Sequence, residues 1–286
     1  MNAMDEATVY EMRDLVYSPV GYPWPAQNQR TIIGHVGINT YSEPSFIKEI
    51  LDHALHGGAT RQIVTVNAQI YVLADKCLEY RKCLDSAEYL CSDGKPLAWA
   101  CNHLAGVWVP RITGVDLIDD LCRRGAANGL SIFLLGGQPG TAMKTARILS
   151  RRHPGLRIAG VSCPDWGFET SEETLEPVIG QIAKAKPNIL FVALGAPKQE
   201  FFIDHSIRPL NVPIAIGVGG SFEILSGAVN RAPLWMQSSG LEWAFRLFKD
   251  PGRLWKRYTI GNAEFVRSVA LWKLRTIALH HRMLRD

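Results

Sequence analysis

Residues 188–200, NILFVALGAPKQE, set the tightest limit on what this chain can fold into. The apolar run is too short for a membrane span and is bounded by Pro187 and Gly195, which fits a strand buried on both faces. It stops at a glycine turn and at once presents Lys198, Gln199 and Glu200. In open α/β sheets ligands bind in the crevice beyond the carboxyl ends of the strands, so function is expected on this edge.

The same grammar recurs along the chain. Further strands are predicted at 31–34, 62–66, 88–91, 131–135, 156–161 and 213–218, and helices at 44–56, 69–81, 115–128, 141–152, 172–184 and 199–207. Strands alternating with helices of this length make βαβ units, hence an α/β fold with a mainly parallel sheet covered by helices on both faces. A Pro-rich, aromatic lead (SPVGYPWP, residues 18–25) reads as an extended arm. After about Gly220 the pattern becomes Arg- and Trp-rich and helical, with Pro233 and Pro251 as breaks. The expected division is an arm over 1–30, a catalytic core over 31–235 and a helical, basic appendage over 236–286. A cut near Gly240 is expected to leave a folded, more soluble and inactive core.

Charge sharpens that division. From Arg231 onward there are eleven Lys and Arg against four acidic residues, an excess larger than the whole chain's +4. The remainder is therefore net acidic, and the basic end calls for an anionic partner such as a phosphate-bearing ligand, a membrane surface or nucleic acid. The last helix has a rough apolar face around Phe265, Val269, Trp272 and Thr276. That face fits packing against the core or lying in a membrane interface. The six cysteines show no CxxC pairing and are read as reduced, cytoplasmic and mostly buried thiols. No secretory leader or transmembrane span is expected.

Two glycine clusters follow predicted strands: GGQPGT at 136–141 and GVGGS at 217–221. Such turns let backbone N–H groups converge on an anion, and both fit a diphosphate. Neither matches the GxxxxGK[ST] P-loop or the full dinucleotide fingerprint. Thr65, Asn67, Asp93, Arg111 and Gln199 all fall where an apolar run ends, and Asp93 is the candidate general base. Asp116 is expected in the first turn of its helix, where a carboxylate suits the dipole. There is no DxD or HExxH, so no metal is expected, and arginines of the basic end must neutralise any bound diphosphate.

RITGVDL, FLLGGQPG, NILFVALGAPKQE, GVGGSFEILSGAVNRAP and LEWAFRLFKDPGRLWKRY occur in this order from about Val64 to Tyr258. Together they resemble the WecG/TagA/CpsF family of bacterial glycosyltransferases. The resemblance implies a Rossmann-like core and inverting, metal-independent transfer of a hexose-type sugar from a UDP-sugar to a polyprenyl-diphosphate-linked saccharide, in cell-surface or exopolysaccharide synthesis. No cofactor is implied beyond the UDP-sugar co-substrate.

Carried over by position, Asp93 resembles the catalytic base, and Thr65, Asn67, Arg111 and Gln199 match the polar groups of the same pocket. The donor-binding set is Gly136, Gly137, Gly195, Lys198, Gly219, Gly220, Ser221 and Glu223. Many relatives have Asp where this chain has Glu223, so the nucleoside contact gains one methylene of reach. Arg231, Arg246, Arg253 and Arg257 match appendage arginines that the family links to site completion and membrane association. A cytoplasmic protein held on the inner face of the membrane follows, with no nucleic-acid partner. The competing readings are a nucleotide-binding oxidoreductase on a similar sheet and a basic nucleic-acid-binding protein, and the chain shows no motif for either.

Overall fold

The computed structural model describes residues 29–283, apart from the side chains of Glu43, Arg253, Arg257 and residues 279–283. The arm at 18–25 lies outside the described residues. Six parallel strands form one sheet: β3 (Arg61–Val66), β4 (Tyr89–Ser92), β5 (Ser131–Gly136), β6 (Arg157–Ser162), β7 (Ile189–Ala193) and β8 (Ile214–Gly217), in the order β4-β3-β8-β7-β5-β6. This is the expected Rossmann-like architecture.

Alternation along each apolar run shows why the sheet needs cover on both sides. Ile132, Leu134, Ile189, Phe191, Ile214 and Ile216 join one core with α1 (Glu43–His56), α5 (Gly114–Ala127) and α6 (Thr141–Arg152). Their neighbours Phe133, Leu135, Leu190, Val192 and Ala215 point the other way, onto α7 (Glu172–Ala185) and the stretch around Phe202 and Ile207. A third cluster joins Val64, Val66 and Leu90 to α2 (Ala68–Lys76) and α3 (Leu78–Ser86).

Helix starts follow local chemistry. Ser42 and Thr113 accept hydrogen bonds from the third residue beyond them, at the heads of α1 and α5. Asp116 sits in the first turn of α5, as expected.

Three expectations are corrected. The strand predicted at 31–34 is not part of the parallel sheet. It is β1 (Gln29–Ile33), paired antiparallel with β2 (Val36–Thr40) through a turn that needs Gly34 at φ +62°. A Cβ there would lie 2.1 Å from the Tyr71 hydroxyl, so only glycine fits. The hairpin covers an edge: Asn39 on β2 accepts a 2.7 Å hydrogen bond from the Leu90 N–H of edge strand β4. The helix predicted at 69–81 is two helices, because Cys77 between α2 and α3 is extended (φ −125°, ψ 112°). The helix predicted at 199–207 is α8 (Lys198–Phe202) followed by a wider π-type turn over Ile203–Ile207.

The carboxyl end of the chain forms α9 (Ser221–Leu225), α10 (Leu234–Ser239), α11 (Glu242–Lys249) and the long α12 (Pro251–Met283), after a short α4 (Lys95–Trp99) earlier in the chain. Pro233 and Pro251 stand at helix starts, where a missing N–H costs nothing. Of the two settings open to the last helix, its middle takes packing against the core. Phe265 and Val269 of α12 are 4% and 5% exposed and pack on α2, Phe265 meeting Tyr71 edge-on with ring centroids 5.1 Å apart. A cut near Gly240 would uncover this apolar face, so the truncated core is now expected to lose stability. No described helix is long and apolar enough to cross a membrane. Of the cysteines, Cys83, Cys91, Cys101 and Cys122 are buried, Cys77 is half-buried and Cys163 is exposed, all unbridged.

Candidate active site

The chain changes direction between the adjacent strands β3 and β8. From β3 it moves outward to β4, whereas β8 leads into α9, which packs beside α5 and α6 on the other side. Such a switch point opens a crevice at the carboxyl edge. Thr65 at the end of β3 bridges it, donating a 3.1 Å hydrogen bond to the Gly217 carbonyl of β8.

Several predicted site residues shape this edge by binding backbone. Asn67 caps α2, its Oδ1 accepting from the N–H groups of Gln69 and Ile70 at 3.0 and 3.2 Å. Gln199 is buried, and its Oε1 accepts from Gly195 N–H at 3.2 Å and Gly219 N–H at 2.9 Å, tying the turn after β7 to the turn after β8. A Cβ on Gly217 would fall 2.7 Å from Gln199 Nε2, so glycine there admits the clamp. Gln199 Nε2 donates to Glu200 Oε1 at 2.7 Å, and Tyr80 donates to Glu200 Oε2 at 3.0 Å. Burial pushes the Glu200 carboxyl up to about 7, against the pull of these two donors.

The glycine turns spend most of their amides internally. Gly137 N–H donates to the Ala193 carbonyl, Gln138 N–H to Glu223 Oε1 at 3.0 Å, and Ser221 closes on the Val218 carbonyl with both its N–H and its hydroxyl. Gly136 and Gly137 turn the chain at φ +89° and +81°. At Gly136 a Cβ would lie 2.8 Å from the Ala193 carbonyl oxygen. Beside Gly220, Glu223 Oε2 is buried with no hydrogen-bond partner among the described residues, and a Cβ on Gly220 would lie 3.5 Å from it. An acceptor held dry in this way needs a donor, which a ligand hydroxyl or N–H would supply. Lys198 is drawn aside: it pairs with Glu169 and sits 4.1 Å over the Trp166 ring. That loop, after β6, touches the Gly137 turn through Cys163, whose thiol approaches the Gly137 carbonyl at 3.4 Å.

The charged centre lies at the end of β4. Asp93 is half-buried, its N–H anchored on the Val66 carbonyl at 2.7 Å, and its carboxylate makes no ion pair within 4.0 Å among the described residues. Burial raises it to about 6, while Arg246 and Arg111 pull it down and Glu242 and Asp116 push it up. Arg111 donates to the Gln237 carbonyl at 2.9 Å and to Glu242 Oε2 at 3.3 Å. Arg246 donates to Glu242 Oε1 at 3.1 Å. Arg231 holds Asp116 with both arms of its fork, at 2.7 and 2.8 Å. The appendage therefore delivers Arg246 and Glu242 to the core's Asp93 and Arg111. The side chains of Arg253 and Arg257, at the start of α12, lie outside the described residues. No cluster of three or more metal-ligating side chains occurs among the described residues.

Sequence reasoning counted Glu242 only among the acidic residues of the basic end and not as a site residue, although its place four residues before Arg246 on one helix is a readable signal. It also missed the Trp166–Lys198–Glu169 arrangement, which needs residues about thirty positions apart.

The model of the glycosyl transferase WecG/TagA/CpsF family matches residues 31–278. The chain is 35% identical over 213 residues to the N-acetylglucosaminyldiphosphoundecaprenol N-acetyl-beta-D-mannosaminyltransferase of Bacillus subtilis (strain 168), covering 74% of this chain and 80% of the relative. The protein of the same description from Bacillus spizizenii is 34% identical over 214 residues, with the same coverage. Strand-end carboxylate, arginine-bearing appendage and match over nearly all the described residues converge: this chain belongs to the WecG/TagA/CpsF family of glycosyltransferases.

Proposed function

We propose that the chain transfers a sugar from a UDP-sugar to a polyprenyl-diphosphate-linked saccharide, with inversion and without a metal ion, in bacterial cell-envelope or exopolysaccharide synthesis. The observation that carries this reading is Asp93. It is a carboxyl raised to about 6, at the carboxyl edge of the sheet, within electrostatic reach of two arginines and close to half ionised near pH 6. The relatives act, as their names state, on a diphosphoundecaprenol-linked N-acetylglucosamine, which supports a lipid-diphosphate acceptor here.

In this scheme Asp93 takes the proton of an acceptor hydroxyl as its oxygen attacks the anomeric carbon from the face opposite the nucleotide. The bond to the donor phosphate oxygen breaks, and UDP leaves with the electron pair. Arg111, Arg246 and the remaining appendage arginines balance the charge that develops on the diphosphate. Glu223 Oε2 accepts from the nucleoside. Thr65, Asn67 and Gln199 act by holding the strand-end turns in place.

The acceptor lies in a membrane surface, and exposed aromatic residues of the appendage support contact with it. Trp235 and Phe248 are 63% and 85% exposed, with Leu234 and Trp255 also exposed, among Lys249, Lys256 and the other basic residues of this region. Aromatic and basic residues mixed in this way favour the interfacial zone of a bilayer.

The test is UDP release with a polyprenyl-diphosphate saccharide and a panel of UDP-sugars, run with and without chelator. Transfer from one UDP-sugar, insensitive to chelation and with an inverted anomeric centre in the product, is expected. Absence of UDP release across the panel, or loss of transfer on chelation with return on added magnesium, would overturn the scheme.

A further inference from the structure

Three carboxylates and three arginines meet around the end of β4, and they are not held alike. Arg231 and Asp116 form a close two-armed pair at 2.7 and 2.8 Å. Glu242 is shared more loosely between two arginines, at 3.3 Å from Arg111 and 3.1 Å from Arg246. Charge-assisted hydrogen bonds shorten to about 2.7–2.9 Å when they are strong, so the Glu242 bridge is the one that yields first. Its position also favours exchange. Glu242 opens α11 directly after Gly240 and Leu241, and Gly240 holds a left-handed φ of +81° that ends α10. Gly240 and Leu241 make a two-residue joint between α10 and α11, and α11 is tied to α12 through Asp250 and the Trp243–Tyr258 contact.

We propose that Glu242 is a place-holder for the donor's diphosphate: in the free chain its carboxylate sits between Arg111 and Arg246, and the incoming diphosphate displaces it. The inference rests on the UDP-sugar reading above. One carboxylate offers a single charge and two oxygens to the two guanidinium forks. A diphosphate offers two charges and more acceptor oxygens, so it wins the pair once the nucleoside end is seated. Until then the carboxylate keeps two half-buried cations from facing each other uncompensated. Glu242 is thus a positioning residue that acts through Arg111 and Arg246, and donor binding carries α11 to its working place.

The experiment is calorimetric titration of the full chain with UDP and with uridine, comparing wild type and Glu242→Gln. Removing the competing charge is expected to tighten UDP binding roughly three- to tenfold and to leave uridine binding unchanged. Equal or weaker UDP binding by the variant, with wild-type binding intact, overturns the place-holder alone. No UDP binding by either chain overturns the donor reading and the place-holder with it. Should the variant not fold, hydrogen exchange of wild type over residues 237–249 decides. It is expected to change with UDP and not with uridine, and an unchanged pattern with both overturns the proposal.

Discussion

The parallel sheet and the terminal helices handle apolar surface in opposite ways. Phe191 and Ile216 in the central strands are fully buried, with helices over both faces. The helices α10 and α11 keep Trp235 and Phe248 in the open and hold the core through hydrogen bonds and charge, Arg111 to the Gln237 carbonyl and to Glu242. The middle of α12, by contrast, behaves like core, through Phe265 and Val269. A region held by dense apolar packing opens only with global unfolding, whereas one held by a few polar contacts moves at low cost. The division sets Asp93, on the densely packed core, within electrostatic reach of Arg246, on a helix held by fewer apolar contacts.

The largest expected effect falls on chemistry. Asp93→Asn should lower turnover by roughly two to four orders of magnitude while UDP still binds, measured as UDP release against calorimetric affinity. In wild type the pH profile of kcat/KM should fall away below about 6, because the base must be ionised. Turnover within a few-fold of wild type would remove Asp93 from its role.

Next comes packing. Phe191→Ala in the sheet should destabilise the fold by about 3–5 kcal/mol in denaturant unfolding. A loss under 1 kcal/mol would break the contrast from the core side.

Glu200→Gln tests the support behind the clamp. The folded carboxyl is raised from 4.5 to about 7, so the folded state favours its proton, and wild-type stability is fully present below 4.5 and lost as pH rises through about 7. The variant carries no such ionisation. Its stability relative to wild type should rise between those limits, by on the order of 3 kcal/mol, in unfolding curves measured across the range. A constant difference would show that Glu200 titrates normally.

The smallest stability effect is expected at the surface. Phe248→Ala should change unfolding free energy by less than about 0.5 kcal/mol yet weaken co-sedimentation with anionic vesicles. Unaltered sedimentation would turn the exposed aromatics into ordinary surface and blur the contrast drawn above.

Much of this was legible in residue order. Apolar runs such as 189–193 declared buried strands, because burial on both faces demands hydrophobic residues at every position, and Pro233 and Pro251 marked helix starts. Asp93 was legible as a strand-end carboxylate and Arg231 as part of a basic end. Asn67 and Gln199 were legible as important positions, but not as a helix cap and a clamp between two turns, since those tasks are defined by backbone groups distant in sequence. Lys198 shows the same limit: the chain places it beside the donor edge, and only the fold turns it onto Glu169 and Trp166.

Sequence by itself determined the six parallel strands, most of the helices and the family, because hydrophobic period, helix-start chemistry and local motifs act over a few residues. Tertiary structure alone decided which charges meet: that Glu242 stands between Arg111 and Arg246, that Arg231 belongs to Asp116, and that Asp93 is raised to about 6. Electrostatic energy depends on distance through a low-dielectric interior, and those distances exist only once strands and helices far apart in the chain have packed together.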